Sequence, residues 1–274
     1  MGTPNIIVTI KQVPDPSRNL RTTAEGAIDR EKTPAVMNRY CRNAVEEALR
    51  LKDAHGGQVS VFTMGPPKAE LALREAIAMG CDRGILLTDR KLAGSDTWAT
   101  AYALSKVAER ISTEFGKTDI FLTGMQTTDG DTAHVGPQLA ERLGIPVIAY
   151  CEKVGLEKDG TMTVRRILAG GYEVLKVRKL PVVLTITGLG NEPREPTLKG
   201  LIRSKRASII SWTADDVKLD EKLVGLRGSP TVVAQVRKVE YTRPPCQMLK
   251  GIASEAADGL FRKLTADNRT GVMG

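Results

Sequence analysis

The chain is poor in the residues that most often build metal sites and nucleic-acid surfaces. It has two histidines, and its four cysteines stand far apart with no C-x-x-C pair. No zinc-site signature can be assembled from such a set. Aromatic residues make up only 4% of the sequence, which leaves few rings for base stacking and argues against binding of single-stranded nucleic acid. We therefore expect a mainly aliphatic core, no metal and no nucleic-acid partner.

Membrane-length apolar runs and a secretory leader are also missing. Four lone thiols without a secretory leader indicate a reducing compartment, so we expect a cytoplasmic protein. Because no apolar run is long enough to span a membrane, we also expect that it is not integral to one. The net charge is +8, from 40 basic and 32 acidic residues, and the basic residues are spread along the chain with their largest cluster at 203–206. Such a distribution favours an acidic protein partner or a phosphate-bearing cofactor over nucleic acid.

The usual phosphate-binding motifs do not occur either. No G-x-G-x-x-G follows the first apolar segment, and no G-x-x-x-x-G-K-[ST] is present. A bound nucleotide would therefore have to be held by less common loops. The sequence also offers no convincing nucleophile, so we expect no catalytic residue.

What the sequence does contain is a regular alternation of short apolar segments with amphipathic ones. The predicted strands are 5–10, 58–63, 84–88 and 119–123, and the predicted helices are 38–55, 68–79 and 97–115, with a fourth helix after 130. Consecutive parallel strands need such crossover helices, so the pattern predicts a Rossmann-like α/β sheet that is buried on both faces. Residues 17–37 lack a steady period and are predicted to be a loop or hairpin.

The rhythm changes after residue 146, where four strand-like runs follow without helices between them. These runs are 147–156, 161–167, 172–177 and 181–187. They predict an antiparallel extension of the sheet. Residues 188–228 are predicted to be irregular, 229–236 to be a late strand, and 247–264 to be an amphipathic helix. We divide the chain into an α/β domain, 1–228, and a C-terminal helical arm, 229–274, that packs on a partner subunit. The alternative is that this helix docks on its own domain.

The stretch 124–137, GMQTTDGDTAHVGP, lies between the fourth strand and the fourth helix. Ligands of open α/β sheets sit off the carboxyl ends of the strands. The loops at that edge begin at Lys11, Met64, Asp89 and Gly124. We predict that Gly124 lets the chain leave its strand and that Asp131 or Thr132 is the helix N-cap, with amide donors of the first turn forming a phosphate site. The alternative is an ordinary loop and helix cap.

Several short motifs follow one another in a characteristic order along the chain. They are KQVP at 11–14, VEEALRLK at 45–52, AMGCDRG at 78–84, DT at 96–97, DGDTAHVGP at 129–137, GGYE at 170–173, NEPR at 191–194 and GSPT at 228–231. This order resembles the small (beta) subunit of electron transfer flavoproteins over roughly residues 5–264. Each motif alone is weakly specific, and the resemblance depends on their shared order.

The resemblance implies a heterodimer with a larger, flavin-carrying alpha subunit and an adenine-nucleotide site in this chain. Ordinary members of the family hold AMP there, whereas electron-bifurcating members hold a complete FAD. The bifurcating members are marked by the loop DGDTAQVGP, from which 129–137 differs only by His134 in place of glutamine. A second departure follows Asn38, where RYC replaces the proline and aromatic residue common in the family.

The resemblance also assigns roles to individual residues. The cofactor-binding set is Thr9, Lys11, Asn38, Met64, Gly65, Asp89, Asp96, Thr97, Thr100, Gly124, Gln126, Asp129, Gly130, Asp131, Thr132, Ala133, His134, Val135 and Gly136. Gly130, Thr132 and Gly136 present amides with little side-chain bulk, as a pyrophosphate requires. Leu198, in a partner-recognition loop near 191–206, is the predicted partner anchor, with basic residues at 203–206 steering encounter. The alternative is that Leu198 pins its loop to the body.

Together these features imply a beta subunit that binds FAD and takes electrons from NADH by flavin-based bifurcation. One electron would pass to the FAD of the alpha subunit and on to an acyl-CoA dehydrogenase-like or quinone-reductase partner, and the other to ferredoxin or flavodoxin. Within the family, the alternative is a plain electron carrier with structural AMP. From a different class, an ATP-hydrolysing or nucleotide-sensing domain is the third hypothesis.

Overall fold

Short aliphatic runs form the strands at the centre of the protein. The computed structural model describes residues 3–15, 34–233 and 246–266. The strands are β1 (Asn5–Thr9), β2 (Gln12–Pro14), β3 (Ala35–Met37), β4 (Gln58–Met64), β5 (Arg83–Leu87), β6 (Ile120–Gly124), β7 (Val147–Leu156), β8 (Met162–Leu168), β9 (Gly171–Val177), β10 (Val182–Ile186) and β11 (Ile210–Trp212). The helices are α1 (Arg39–His55), α2 (Glu70–Met79), α3 (Thr97–Phe115), α4 (Val135–Leu143), α5 (Leu198–Arg206) and α6 (Ala253–Ala266).

Within the described residues, nine strands form one sheet in the order β11-β5-β4-β1-β6-β10-β7-β8-β9. Neighbours are parallel from β11 to β7, and β8 and β9 continue the sheet antiparallel. Helices α1 and α2 cover one face through a core of aliphatic side chains, and α3 and α4 cover the other. This confirms the predicted Rossmann-like α/β fold, and it places the carboxyl ends of β5, β4, β1 and β6 at one edge.

The predicted antiparallel extension is correct for β7, β8 and β9 but wrong for 181–187. That run forms β10, which lies between β6 and β7 and is parallel to both. All five residues of β10 are buried, as expected for a strand with helices on both faces. The sequence signal is the continuous apolar run VVL, which lacks the polar alternation of a strand with one face in solvent.

The prediction that residues 188–228 are irregular is also wrong, because they include α5 and β11. Helix α5 begins after Thr197, whose Oγ1 accepts a hydrogen bond from the Gly200 amide at 3.0 Å. A Cβ on Gly200 would lie 2.1 Å from the carbonyl oxygen of Ala78, so only glycine allows α5 to approach α2 this closely. Strand β11 extends the sheet by pairing in parallel with β5.

Two further predictions fall partly outside the described residues. Strands β2 and β3 pair antiparallel, as in a hairpin, while residues 16–33 between them lie outside the described part. The late strand predicted at 229–236 is absent from 229–233, and 234–236 lie outside it. Along the described stretches, none of the helices has the length and apolarity that crossing a membrane requires.

The contacts divide the chain into two compact units, Met1–Val236 and Arg237–Gly274. In the second unit the predicted amphipathic helix exists as α6, but it begins at Ala253 instead of 247. Gly251, with φ of 122°, interrupts any earlier helical turn, and the Ile252 amide donates to Glu255 Oε2 at 3.2 Å. The division at 228/229 and the packing of the arm on a partner remain predictions.

Candidate functional site

The loops that follow β1, β4, β5 and β6 meet at the carboxyl edge of the sheet because these strands are parallel neighbours. Thr9 is the buried last residue of β1, and Lys11 follows it. Met64 ends β4 and packs against the core under α3 and α4. The Gly65 amide donates to the carbonyl of Leu87 at 3.0 Å, which joins the second loop to the end of β5. The ends of these neighbouring strands therefore form one continuous surface beneath the predicted site.

Lys11 and Asp129, far apart in sequence, form an ion pair at this edge. Both carboxylate oxygens of Asp129 accept from Lys11 Nζ at 2.8 Å. The Asp129 side chain is 7% exposed, whereas that of Lys11 is 40% exposed. The pair therefore holds the start of the 129–137 loop over the end of β1, and the partly exposed Lys11 side chain keeps a positive charge at this edge.

Asn38 holds the same loop from the other side. It is the residue before α1, yet its side chain makes no capping hydrogen bond to that helix. Instead Asn38 Nδ2 donates to the Gln126 carbonyl at 2.8 Å, and Oδ1 accepts from the Thr128 amide at 3.1 Å. Nδ2 also lies 3.3 Å from Cys41 Sγ, and burial raises the pKa of this thiol. The predicted site residue Asn38 is thus a fully buried brace of the loop.

The predicted N-cap, Asp131 or Thr132, is wrong, because α4 begins only at Val135 with His134 before it. Asp131 and Ala133 have φ of 49° and 56°, left-handed values through which a right-handed helix cannot run. The Asp131 carboxylate accepts from Gln126 Nε2 at 2.9 Å and so supports the loop. Thr132 and His134 are exposed. The helix therefore starts two or three residues later than the sequence indicates.

The amino end of α4 still has the donors that a phosphate requires. The amides of Val135 and Gly136 lie in the first turn, where no acceptor exists inside the helix. A Cβ on Gly136 would lie 2.6 Å from Thr185 Cγ2 and 2.9 Å from Thr123 Oγ1. Glycine at this position thus seats the end of α4 directly on β6 and β10. Pro137 has no amide hydrogen and fits the third position of a helix.

Two other glycines of the loop serve different purposes. A Cβ on Gly124 would lie 2.8 Å from the Tyr40 carbonyl carbon and the Cys41 amide nitrogen, so the requirement comes from packing against α1. A Cβ on Gly130 would meet only Thr127 Oγ1, at 3.5 Å. Gly130 is exposed, and nothing in the chain itself demands glycine there. That is the pattern expected where a ligand approaches the backbone.

The loop after β5 is held by its own carboxylates. Asp89 accepts from the amides of Lys91 and Ala214, and the Lys91 amide is the main cause that lowers the Asp89 pKa. Asp96 Oδ1 caps α3 by accepting from the amides of Trp98 and Ala99.

The second oxygen of Asp96 binds a distant segment. Oδ2 accepts from the Thr231 amide at 3.0 Å and from its hydroxyl at 2.8 Å. Partial burial raises the pKa of Asp96, but the bonds from Ala99, Thr231 and Trp98 outweigh it and lower the pKa overall. Thr97 and Thr100 lie half-buried in the first turn of α3. The structure therefore gives Asp89 and Asp96 internal partners. Thr231 was missed as a site residue, although its motif GSPT was the available signal.

Leu198 lies at the start of a helix and not in a loop, which corrects the sequence interpretation. Its side chain is 75% exposed, so it does not pin the segment to the body. It is also not a lone apolar residue, because Leu201 and Ile202 are exposed one turn later. Of the basic residues expected to steer encounter, Arg203 instead donates to the carbonyls of Ile77 and Cys81 at the end of α2.

A phosphate-bearing nucleotide fits the donors of this site. Lys11 supplies an exposed ammonium group, the first turn of α4 supplies amides, and Gly130 leaves open space. Clefts also form elsewhere on the described part of the chain. One of about 370 Å³, lined by Thr3, Pro4, His55, Asp119, Leu156, Glu157, Lys158 and Leu180, includes the residues just before β1 and β6, at the opposite edge from these donors. The phosphate donors and this cleft therefore lie at opposite edges of the sheet.

Comparison with known proteins is consistent with this architecture. Residues 25–217 match the model of the electron transfer flavoprotein domain. The chain is 43% identical over 263 residues to an electron transfer flavoprotein subunit beta of Thermoanaerobacterium thermosaccharolyticum, covering 96% of this chain and 98% of that protein. It is 41% identical over 263 residues to Protein FixA of Azorhizobium caulinodans, covering 95% and 93%.

A third relative supports the same assignment across almost the whole chain. The electron transfer flavoprotein subunit beta of Megasphaera elsdenii is 39% identical over 271 residues, covering 98% of this chain and 94% of that protein. The three relatives are each aligned over at least 95% of this chain. The chain belongs to the beta-subunit family of electron transfer flavoproteins.

Proposed function

We propose that this beta subunit binds FAD at the carboxyl edge of its sheet and works in flavin-based electron bifurcation. In this proposal NADH is the electron donor. One electron goes to the alpha-subunit FAD and then to an acyl-CoA dehydrogenase-like or quinone-reductase partner, and the other goes to ferredoxin or flavodoxin. The main supporting observation is the 129–137 loop, which joins the bifurcating-type sequence to the first turn of α4, whose amides have no acceptor within the helix.

The residues of this chain would bind and orient the cofactor. Lys11 would balance part of the pyrophosphate charge, and the amides of Val135 and Gly136 would donate to its oxygens. Asn38 would keep 126–128 at a fixed distance from α1. Bound FAD would supply two-electron acceptance and one-electron release, chemistry that the protein side chains lack. No acid or base in the chain is assigned a proton-transfer role.

The proposal is tested by counting flavins in the purified heterodimer. We expect two FAD molecules per alpha–beta pair, measured by absorbance after extraction and by chromatography of the released nucleotides. One FAD with one AMP would support the plain carrier instead. Absence of any flavin, with ATP hydrolysis, would favour the nucleotide-hydrolysing class.

Replacing Gly130 with valine should lower this count from two flavins towards one. The nearest atom to the added Cβ, apart from the adjoining residues, is Thr127 Oγ1 at 3.5 Å, so we expect the fold to be retained and the loss to report contact with the ligand. Gly170→Val is the matched control, because no atom lies within 4 Å of its Cβ position and the residue belongs to the β8–β9 turn. Full flavin content in Gly130→Val would contradict the placement of the pyrophosphate.

We further propose that Leu198 is the anchor for an electron-accepting dehydrogenase. Its side chain, with Leu201 and Ile202, forms an exposed apolar strip on α5, and Lys205 and Arg206 lie on the same helix. Burial of one aliphatic side chain stabilises a complex by about 1.5–3 kcal/mol. That is sufficient for a transient contact when charges assist encounter.

Leu198→Ala should slow electron delivery to an acyl-CoA dehydrogenase by about tenfold or more. Reduction of the flavins by NADH should stay at the wild-type rate, because α5 and the cofactor loop are separate elements. Leu168→Ala, which truncates an exposed leucine at the end of β8, is the control and should leave both rates unchanged. A parallel fall of both rates in Leu198→Ala would argue against the anchor.

The C-terminal unit is proposed to pack on the alpha subunit. In the described part of this unit, Ile252, Leu260 and Leu264 are exposed apolar residues on or next to α6, a face that burial against a partner would stabilise. Removal of the chain after Met248 should weaken heterodimer formation, measured by sedimentation, more than it lowers the thermal midpoint of the remaining domain. Assembly at wild-type affinity would refute this role.

A further inference from the structure

The segment 188–197, which connects β10 to α5, is bonded to α1 through Asn191, Arg194 and Glu195. Asn43 Nδ2 donates to the backbone and side-chain oxygens of Asn191 at 3.0 and 2.9 Å. In return, Asn191 Nδ2 donates to the Asn43 carbonyl at 3.2 Å and to Glu47 Oε2 at 2.9 Å. The two asparagines therefore bind each other in both directions, and the three groups that α1 contributes all belong to the buried residues Asn43 and Glu47.

Arg194 makes the second and stronger attachment. Its amide, Nε and Nη2 all donate to the carboxylate of Glu46, at 3.0, 2.8 and 3.0 Å. Nη2 also binds Asp53 at 2.8 Å. Glu46 is only 5% exposed, so its charge is satisfied by one residue of the segment. A planar guanidinium that donates to both oxygens of a carboxylate fixes the orientation of Arg194 relative to Glu46 as well as the distance between them.

The segment ends directly before Leu198, the residue that we propose as the partner anchor. Thr197 caps α5, and Leu198 is its first residue. On the other side of Leu198, two arginines join α5 to α2. Arg203 of α5 donates to carbonyls at the end of α2, and Arg74 of α2 donates to the Ser204 carbonyl of α5. Leu198 is therefore exposed but lies between two fixed attachments. A side chain presented in this way loses little conformational entropy on docking.

We propose that Asn43 and Glu46 of α1 are positioning residues for partner docking, which hold 188–197 so that Leu198 is preorganised for an acyl-CoA dehydrogenase-type partner. The inference rests on the docking role proposed for Leu198 and adds the residues that maintain it. Neither Asn43 nor Glu46 needs to touch the partner. Their effect is on the affinity of the docking step and not on the chemistry at the flavin.

The test uses the intact alpha–beta heterodimer with Glu46→Gln, which keeps the size of the side chain and removes its charge. Hydrogen exchange is measured for amides of 189–197, and KM and kcat are measured with a purified acyl-CoA dehydrogenase as acceptor. A small redox dye serves as an acceptor that needs no docking. We expect exchange in 189–197 and the KM to rise by about tenfold, with kcat, the dye rate and the flavin content unchanged.

Two further variants keep the result interpretable. Glu114→Gln breaks a comparable arginine–glutamate pair on α3, where Arg110 Nε lies 2.6 Å from Glu114 Oε1, and should change neither KM nor exchange in 189–197. Asn191→Ser weakens the attachment without touching Glu46 and is used if Glu46→Gln fails to assemble; it should raise KM in the same way.

The outcomes separate the inference from the docking proposal beneath it. If Leu198→Ala raises KM and Glu46→Gln does not, the positioning role is overturned and the anchor stands. Unchanged exchange in 189–197 for Glu46→Gln also overturns the positioning role. If Leu198→Ala itself leaves KM unchanged, the docking proposal fails and the inference fails with it. A fall in the dye rate would show a general structural role and count against positioning.

Discussion

Asn38→Ala is expected to abolish stoichiometric cofactor binding and to destabilise the protein by about 2–4 kcal/mol. The substitution removes the only side chain seen bridging α1 to residues 126–128 within the described part of the chain. The Thr128 amide and the Gln126 carbonyl then lose their partner, and an unsatisfied buried group costs more than a lost surface hydrogen bond. Flavin content and the denaturant midpoint of the heterodimer measure the two effects.

A second asparagine provides the control for this prediction. Asn5 Nδ2 also bonds to two backbone carbonyls, those of Gly116 and Lys117, but at the amino edge of the sheet and in a residue that is half-buried, whereas Asn38 is fully buried. Asn5→Ala should therefore cost less stability and leave the cofactor content unchanged. Wild-type flavin content in Asn38→Ala would refute the bracing role.

Gly124→Val is expected to lower stability by about 3 kcal/mol. The new side chain would be forced into the backbone of the first turn of α1, where Tyr40 and Cys41 lie 2.8 Å from the Cβ position. Backbone cannot rotate away as a flexible side chain can, so α1 or β6 has to shift. The chevron midpoint or the thermal midpoint of the complex, compared with that of Gly170→Val, reports the loss. A stability change as small as in that control would mean that α1 moves freely against β6.

The order of strands and helices in the first half was predictable because each element has a strong period of its own. The apolar runs of β1, β4, β5 and β6 are short and bounded by Gly, Pro or Asp, and α1 to α3 separate them. The position of β10 was not predictable in the same way, since sequence order does not specify which neighbour a strand finds. Its insertion between β6 and β7 depends on tertiary contacts.

The position of the candidate site in the fold was predictable from the sequence, but the hydrogen bonds between its residues were not. The sequence placed Lys11, Asn38 and the 124–137 loop together, and the structure brings them into contact. The start of α4 was misplaced because the left-handed backbone at Asp131 and Ala133 leaves no clear sequence signal in residues other than glycine. Helix α5 was missed because Pro196 and Gly200 suggested a loop, whereas the first precedes the helix and the second serves its packing.

The middle position of β10 has a consequence for synthesis of the chain. Strands β6 and β7 leave the ribosome before β10, and each must hold an unpaired edge until residues 182–186 arrive between them. A nascent chain that ends before this point exposes open edges that can pair with other chains. The parallel sheet therefore closes late, through a contact between segments about sixty residues apart, and the interval before closure is the period in which the nascent chain is most exposed to mispairing.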